Sequence, residues 1–330
     1  METLLTTYRG QQADLITPGS IAVVDAKGQL VKAWGDPEEV AFPRSSCKLL
    51  QLLAALRLDI HYRYNFTWPE LALMCGSHTG EPYHIQRILG LLEKLGLEES
   101  DLQCGAHYPL DKRTRQAMQA RGEKPRAVHN NCSGKHCAML ASAKVLGADL
   151  STYQLPDHPV QRNITQTISE ICDLPTSEMK FAVDGCGVPV HALPLKAFAY
   201  GMARFARPKT LPNDLAKHAQ LITQALIEQP FYASGTNRLE RHIIRRFPGE
   251  VIVKSGANGY FAGYLPKLGL GFALKTYDGL NGPRDIILLE LLWRLGLIKR
   301  KRDYAALLEY TPKIIKNRRG EIVGQRLCNL

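Results

Sequence analysis

The chain has 330 residues, 45% hydrophobic and 22% charged, which excludes a disordered or fibrous protein and suits one large globular domain or two modest ones. It has no apolar run of about 18 residues, and its N-terminal METLLTTYRGQQADL has neither the basic start nor the apolar stretch of a signal peptide, so a non-membrane, cytoplasmic protein is expected. The net charge of +11 gathers late, in KRKR (299–302) and PKIIKNRRGE from Pro312; no zinc-finger spacing, RNP-like aromatic run or basic zipper accompanies it, so a solvated basic surface is expected and no nucleic-acid partner.

In chain order, IAVVD and QLVKAW flank AKG and predict a β-hairpin. Leu49, Leu50, Leu52, Leu53, Ala54 and Leu56 are apolar nearly all round, as in a helix buried in a core. HIQRILGLLEKLGL, TRQAMQARG, HCAMLASAKVLG, PVQRNITQTISEIC and LAKHAQLITQALIEQP all carry helical periodicity. EVIVKSG, GYFAGYL and LGLGFALKTYDG predict an antiparallel meander, and PRDIILLELLWRLGL a helix packed on it. The expectation is a single α+β domain over residues 1–330. Its antiparallel sheet is built from N- and C-terminal strands, about residues 1–40 and 250–280, and is flanked by helices. The middle, about 45–248, is mostly helical.

Three constellations suggest chemistry. Ser45 and Lys48, three apart at a helix start, share a face. The helix N-terminus favours an oxyanion there, and a lysine in apolar surroundings loses its proton more easily and can serve as a base. The plainer alternative is an N-cap serine and a snorkelling lysine. VIVKSGANGYF places Lys254 on a late strand before Ser255 and Gly256, the K-[ST]-G element that lines a cleft opposite S-x-x-K in active-site-serine hydrolases; an edge-strand lysine is the plainer reading. Ser77, in the turn-rich LMCGSHTGEPYH, is a candidate third hydroxyl, or a capped turn.

Third, HNNCSGKHCAML and DGCGVPVHALPL each put a cysteine on a polar, glycine-containing loop. Reduced cysteines are expected throughout. Cys132 and Cys186 are candidate zinc ligands, with His129, His136 or His191 as nitrogen donors. Asp184, two residues before Cys186, either accepts a hydrogen bond from a ligand amine or starts the turn.

Together PRSSCK, CGSHTGEPYH, HNNCSGKHCAML, DGCGVPVHALPL and VKSGANGYF resemble the rhizobial-type L-asparaginases, the bacterial asparaginase II family. The resemblance implies hydrolysis of L-asparagine to L-aspartate and ammonia, a serine β-lactamase/glutaminase-like fold and a homodimer. It also implies two Ser–Lys pairs, Ser45 with Lys48 and Ser77 with Lys254. The implied zinc ligands are Cys132, Lys135 and Cys186, so a lysine takes the place that spacing alone would give a histidine. Arg44 and Asp184 match positions suited to the substrate's α-carboxylate and α-amine. On this reading Ser45 attacks the side-chain amide, with Ser77 as the alternative nucleophile. A glutaminase or another Ser–Lys amide hydrolase is the alternative activity.

Overall fold

The structure is a computed structural model and describes residues 2–330. The chain opens with strands β1 (Glu2–Arg9), β2 (Gln12–Asp25), β3 (Leu30–Trp34) and β4 (Val40–Ala41), followed by a 3-10 turn at Arg44–Cys47. Helices α1 (Lys48–Leu56), α2 (Ile60–Arg63), α3 (Trp68–Met74), α4 (Pro82–Leu95), α5 (Lys112–Ala120), α6 (Ser133–Leu146) and α7 (Pro159–Cys172) come next. Two strands, β5 (Lys180–Val183) and β6 (Pro189–Pro194), precede α8 (Leu195–Ala206), α9 (Asn213–Glu228), α10 (Pro230–Ser234) and α11 (Leu239–Arg246). The chain ends with β7 (Ile252–Ser255), β8 (Tyr260–Leu265), β9 (Leu270–Thr276), α12 (Asn281–Arg294), α13 (Lys301–Leu308), β10 (Ile314–Lys316) and β11 (Ile322–Cys328).

These elements fall into two compact units. The first comprises residues 1–46, 192–207 and 237–330. It holds an antiparallel sheet in the order β10-β11-β1-β2-β9-β8-β7, with β3 also paired to β2. N- and C-terminal strands thus meet in one sheet, at the register Ile21↔Leu274, Ala22↔Ala273 and Val23↔Phe272. Ile21 through Val24 are all fully buried. A strand buried without alternation is covered on both faces. Helix α8 packs against β2, β8 and β9, and α12 against β1, β8 and β9. At Gly271 a Cβ would run into the backbone of α8 at Ala199 and Ala203, so the glycine lets helix and sheet approach closely.

Two strands lie where only a basic surface was expected. β10 and β11 extend the sheet beyond β1, with Leu5 opposite Cys328 and Tyr8 opposite Gln325. Part of the basic charge there is paired: Lys313 with Glu290, Arg319 with Glu321 and Arg302 with Asp303.

The second unit comprises residues 47–191 and 208–236 and carries the helical middle. All nine residues of α1 are buried; its Leu/Ala composition, free of β-branched residues, suits a helix that other helices cover on every side. It packs on α6, α7 and α9. α3 starts with a capping box in which Thr67 and Glu70 satisfy each other's backbone donors, and it packs on α6, α9 and α10. Two glycines set these distances. A Cβ on Gly134, at the start of α6, would strike the Leu73 carbonyl, and one on Gly76, just after α3, would lie 2.5 Å from Ala233 O of α10. Short strands interrupt the helical middle here, because β5 sits within it.

Candidate active site

Within the second unit, Lys48, Ser77 and the Cys132 and Cys186 loops converge. Lys48 is the first residue of α1 and is 1% exposed. Its ammonium donates to Gly76 O at 2.7 Å, Ser77 Oγ at 2.9 Å and Asn131 O at 3.3 Å. An amine at 2.9 Å from a hydroxyl oxygen is within proton-transfer distance. The lysine does not snorkel; its head group is held at the buried end of a core helix.

Ser77 is placed by its backbone. Its N–H donates to Ala233 O at 2.8 Å, the contact that the bare Cα of Gly76 permits. The next residue, His78, fixes the rest of the loop. Its Nδ1 accepts from the Gly80 N–H, so Nε2 carries the proton and donates to Ser133 Oγ at 2.8 Å, which in turn donates to Val128 O. Burial, reinforced by His84, Lys48 and His107, holds the His78 pKa well below that of an ordinary imidazole. A neutral His78 therefore ties the Ser77 loop to the start of α6, a role not visible in the sequence.

Cys132 precedes α6 as its N-cap, and its N–H donates to Asn130 Oδ1. The helix N-terminus favours a thiolate there. Lys135, one turn into α6, donates from Nζ to Cys186 Sγ at 2.9 Å. A hydrogen bond from Cys186, and then the ammonium charges of Lys48 and Lys135, hold the Cys132 thiol well below its usual pKa despite burial. Cys186, as the donor in that bond, is raised, and burial adds to the effect. Burial alone would lower the Lys135 pKa, but the two sulfurs raise it. Cys132, Lys135 and Cys186 thus form one buried cluster in which each group bears on the ionisation of the others. By contrast, burial pushes Cys47 up to about 12, as it does Cys104, leaving inert thiols. All eight cysteines are unbridged.

The nitrogen reaching Cys186 is that of Lys135. Each candidate histidine has a different partner. His129 Nδ1 accepts from Arg126 N, His136 Nδ1 bonds the Tyr153 hydroxyl, and His191 Nε2 bonds Thr165. Asp184 starts the turn before Cys186, with Gly187 N donating to its carbonyl. It is half-buried, and its charge acts on both Lys135 and Cys47.

Ser45, Arg44 and Lys254 belong to the first unit. Ser45 lies in the 3-10 turn and is half-buried. Arg44 has φ of +51°, a left-handed conformation uncommon outside glycine, asparagine and aspartate. The serine beside them, Ser46, is fully buried and donates to Lys254 O at 2.7 Å, tying this turn to β7. Lys254 sits on β7, 2% exposed, and donates to Ser255 O at 3.0 Å. Its Nζ lies 3.8 Å from Glu240, a carboxylate that also accepts from Ser255 Oγ at 2.7 Å. Gly256 completes the K-S-G run; a Cβ there would meet Pro43 O, and its carbonyl accepts from Arg284. Lys254 is therefore a buried charge in a network, not an edge-strand guard.

Several solved structures are distantly similar to this chain. A β-lactamase from Mycobacterium bovis shares 15% identity over 89% of this chain and 95% of its own, with a TM-score of 0.42. A D-alanine carboxypeptidase from Burkholderia cenocepacia shares 13% over 85% and 93%, with a TM-score of 0.42. A class C β-lactamase from Rhodobacter sphaeroides shares 11% over 85% and 95%, with a TM-score of 0.45. No curated protein matches the chain. The family model described as L-asparaginase II matches residues 5–327, nearly the whole sequence, and the chain belongs to that family of amide hydrolases.

Proposed function

We propose that this amide hydrolase acts on L-asparagine, releasing L-aspartate and ammonia through an acyl-enzyme, with Lys48 as general base. The observation that carries the reading is the buried 2.9 Å contact between Lys48 Nζ and Ser77 Oγ. A lysine alkylammonium held against a hydroxyl in a core helix has no packing purpose, and leaving it there is costly unless it is used. In this scheme Ser45 attacks the side-chain amide carbon. Lys48, once it has lost its own proton, takes the serine proton and gives it to the departing ammonia, with Ser77 and Lys254 relaying the proton or orienting the nucleophile. Water resolves the ester by the reverse path. Ser45 is the better candidate for attack because the residue is half-buried, whereas Ser77 is 6% exposed and already bound to the lysine. Attack by Ser77 is the second reading, favoured by the same 2.9 Å contact.

Arg44 and Asp184 are proposed to hold the substrate's α-carboxylate and α-amine. Cys132, Lys135 and Cys186 are proposed to hold Zn2+. Two sulfurs and an amine meeting in a buried cluster are a donor set that suits this borderline-soft ion. Bound there, zinc would supply a fixed positive charge that tunes substrate binding. Lys135 would have to give up its proton to ligate. A homodimer is also proposed; β5 exposes Phe181 and Val183, at 51% and 70%, on a strand at a sheet edge, and apolar edge strands are commonly covered by a partner.

Ammonia release from asparagine and glutamine, measured side by side with and without added Zn2+, tests the substrate. Faster release from asparagine is expected; equal rates would refute the asparagine assignment. Mass spectrometry of the quenched acyl-enzyme locates the nucleophile, and label on Ser77 would replace Ser45 in that role.

A further inference from the structure

A second cluster lies in the helical unit, apart from the thiols. Asp59 follows α1, His61 is in α2, and His218 is in α9. One ligand atom from each lies within 4.8 Å of the others. Asp59 Oδ1 and His218 Nε2 are 3.6 Å apart, and the two imidazoles meet edge to face with centroids 5.1 Å apart. Tetrahedral ligands about 2.0–2.1 Å from a zinc ion stand about 3.3–3.4 Å from one another, so only a small adjustment closes the site.

The second observation is what the imidazoles lack. His61 is 7% exposed and His218 is 1% exposed, yet none of their four ring nitrogens has a hydrogen-bond partner. Buried polar groups are nearly always satisfied, and an exception calls for an absent ion or water. Other buried histidines of this unit keep at least one bonded ring nitrogen, His78 to Ser133, His136 to Tyr153 and His191 to Thr165, whereas His61 and His218 have none. Asp59 is 62% exposed along its side chain and opens the site to solvent, from which water would fill the remaining position. Lys217, the nearby opposing charge, lies over the Tyr62 ring.

The geometry points to a divalent transition-metal site formed by Asp59, His61 and His218, clipping α2 to α9 independently of the thiol cluster. Imidazole and carboxylate donors select zinc and its first-row neighbours over calcium or magnesium.

The test uses full-length protein and Zn2+ alone as the probe. The Cys132→Ser/Cys186→Ser variant, dialysed against Zn2+ and desalted, is expected to retain one equivalent by elemental analysis. Adding His218→Asn is expected to remove it. The clip is overturned if the cysteine variant retains no zinc, or if zinc persists after His218→Asn. Should the cysteine variant misfold, Asp59→Asn in the otherwise native chain serves instead, because an exposed Asn keeps the left-handed backbone of Asp59 (φ +54°). It is expected to weaken one class of zinc site at least tenfold in a titration; an unchanged isotherm overturns the proposal equally.

Discussion

Replacing Lys48 by methionine separates catalysis from packing. Methionine fills a similar volume, so α1 keeps its buried face, but Gly76 O, Ser77 Oγ and Asn131 O lose their shared donor. Leaving a buried acceptor unpaired costs about 1–3 kcal/mol. Against that stands the relief of burying an ammonium that is 1% exposed, a penalty of several kcal/mol after relaxation. The two terms oppose each other, and a net stability change below about 3 kcal/mol is expected. Catalysis has no such compensation. Loss of a positioned general base lowers the rate by about 10²–10⁴, or about 2.7–5.5 kcal/mol of barrier. The assay is coupled ammonia release from L-asparagine, with urea unfolding in parallel. A folded Lys48→Met protein that keeps more than a tenth of the native kcat refutes the base role. So does a rise in KM with kcat intact, which would mean that the charge served only in substrate binding. In Lys48→Ala, a small primary amine added to the buffer is expected to restore part of kcat.

Other perturbations probe the supports of the site. In Gly76→Ala the new Cβ lies 2.5 Å from Ala233 O and 2.8 Å from Ala233 Cα; backbone cannot step aside, so a loss of about 1–3 kcal/mol in thermal or urea unfolding is expected, with a lower kcat because both Ser77 N and Gly76 O shift. A stability within 0.5 kcal/mol of native would show that α10 yields freely, since only site-neutral changes stay within roughly that range. In Ser77→Ala, kcat falls whether Ser77 attacks or relays, but only as a relay does the variant still accumulate acyl-enzyme on Ser45 in quenched samples. Burial would raise the Glu240 pKa, yet Arg238, Lys254 and the Ser255 hydroxyl together lower it to about 2 from 4.5. Because the folded value is the lower one, this stability is present above pH 4.5 and disappears as pH falls toward 2. It amounts to about 3 kcal/mol. Glu240→Gln should therefore lower stability at pH 7 and flatten its decline between pH 4.5 and 2; parallel urea curves for both proteins across that window contradict the network.

The sequence announces elements where periodicity is strong and stays silent where charge interrupts it. IAVVD, GYFAGYL and FALKT become β2, β8 and β9, and their pairing into one sheet follows from apolar runs at both ends of the chain. IIK and IVGQRLC escape notice because they are short and broken by polar and charged residues; β10 lies at the sheet edge, where such charges are common, while β11 is paired on both sides. Their burial pattern, mostly exposed or intermediate, explains the weak signal. The start of α1 differs in a similar way. Ser45 reads as an N-cap, but residues 44–47 form a 3-10 turn and the cap position falls to Cys47, whose side chain makes no capping bond.

The site shows the sharper limit, because spacing finds only neighbours along one helix. Ser45 and Lys48 stand out at i and i+3, while the contact the lysine makes with Ser77 joins residues 29 apart and depends on Gly76 approaching Ala233. Nothing local in CGSHTG announces that approach. The same holds for Lys135. Chemical habit favours histidine as a nitrogen donor beside thiols, and three were at hand, but each is drawn off by a backbone donor or hydroxyl close by. Lys135 is left on the inner face of α6 with its head group against Cys186, and the two sulfurs raise its pKa. The Lys48 charge also lowers the pKa of the Cys132 thiol. One lysine thus stands between the hydroxyl proposed to relay the proton and the sulfur cluster proposed to tune binding. Removing Cys132 should therefore alter Lys48 as well as any bound zinc. A Cys132→Ser variant whose metal-free pH–rate profile matched the native profile would show the two halves of the site to be independent.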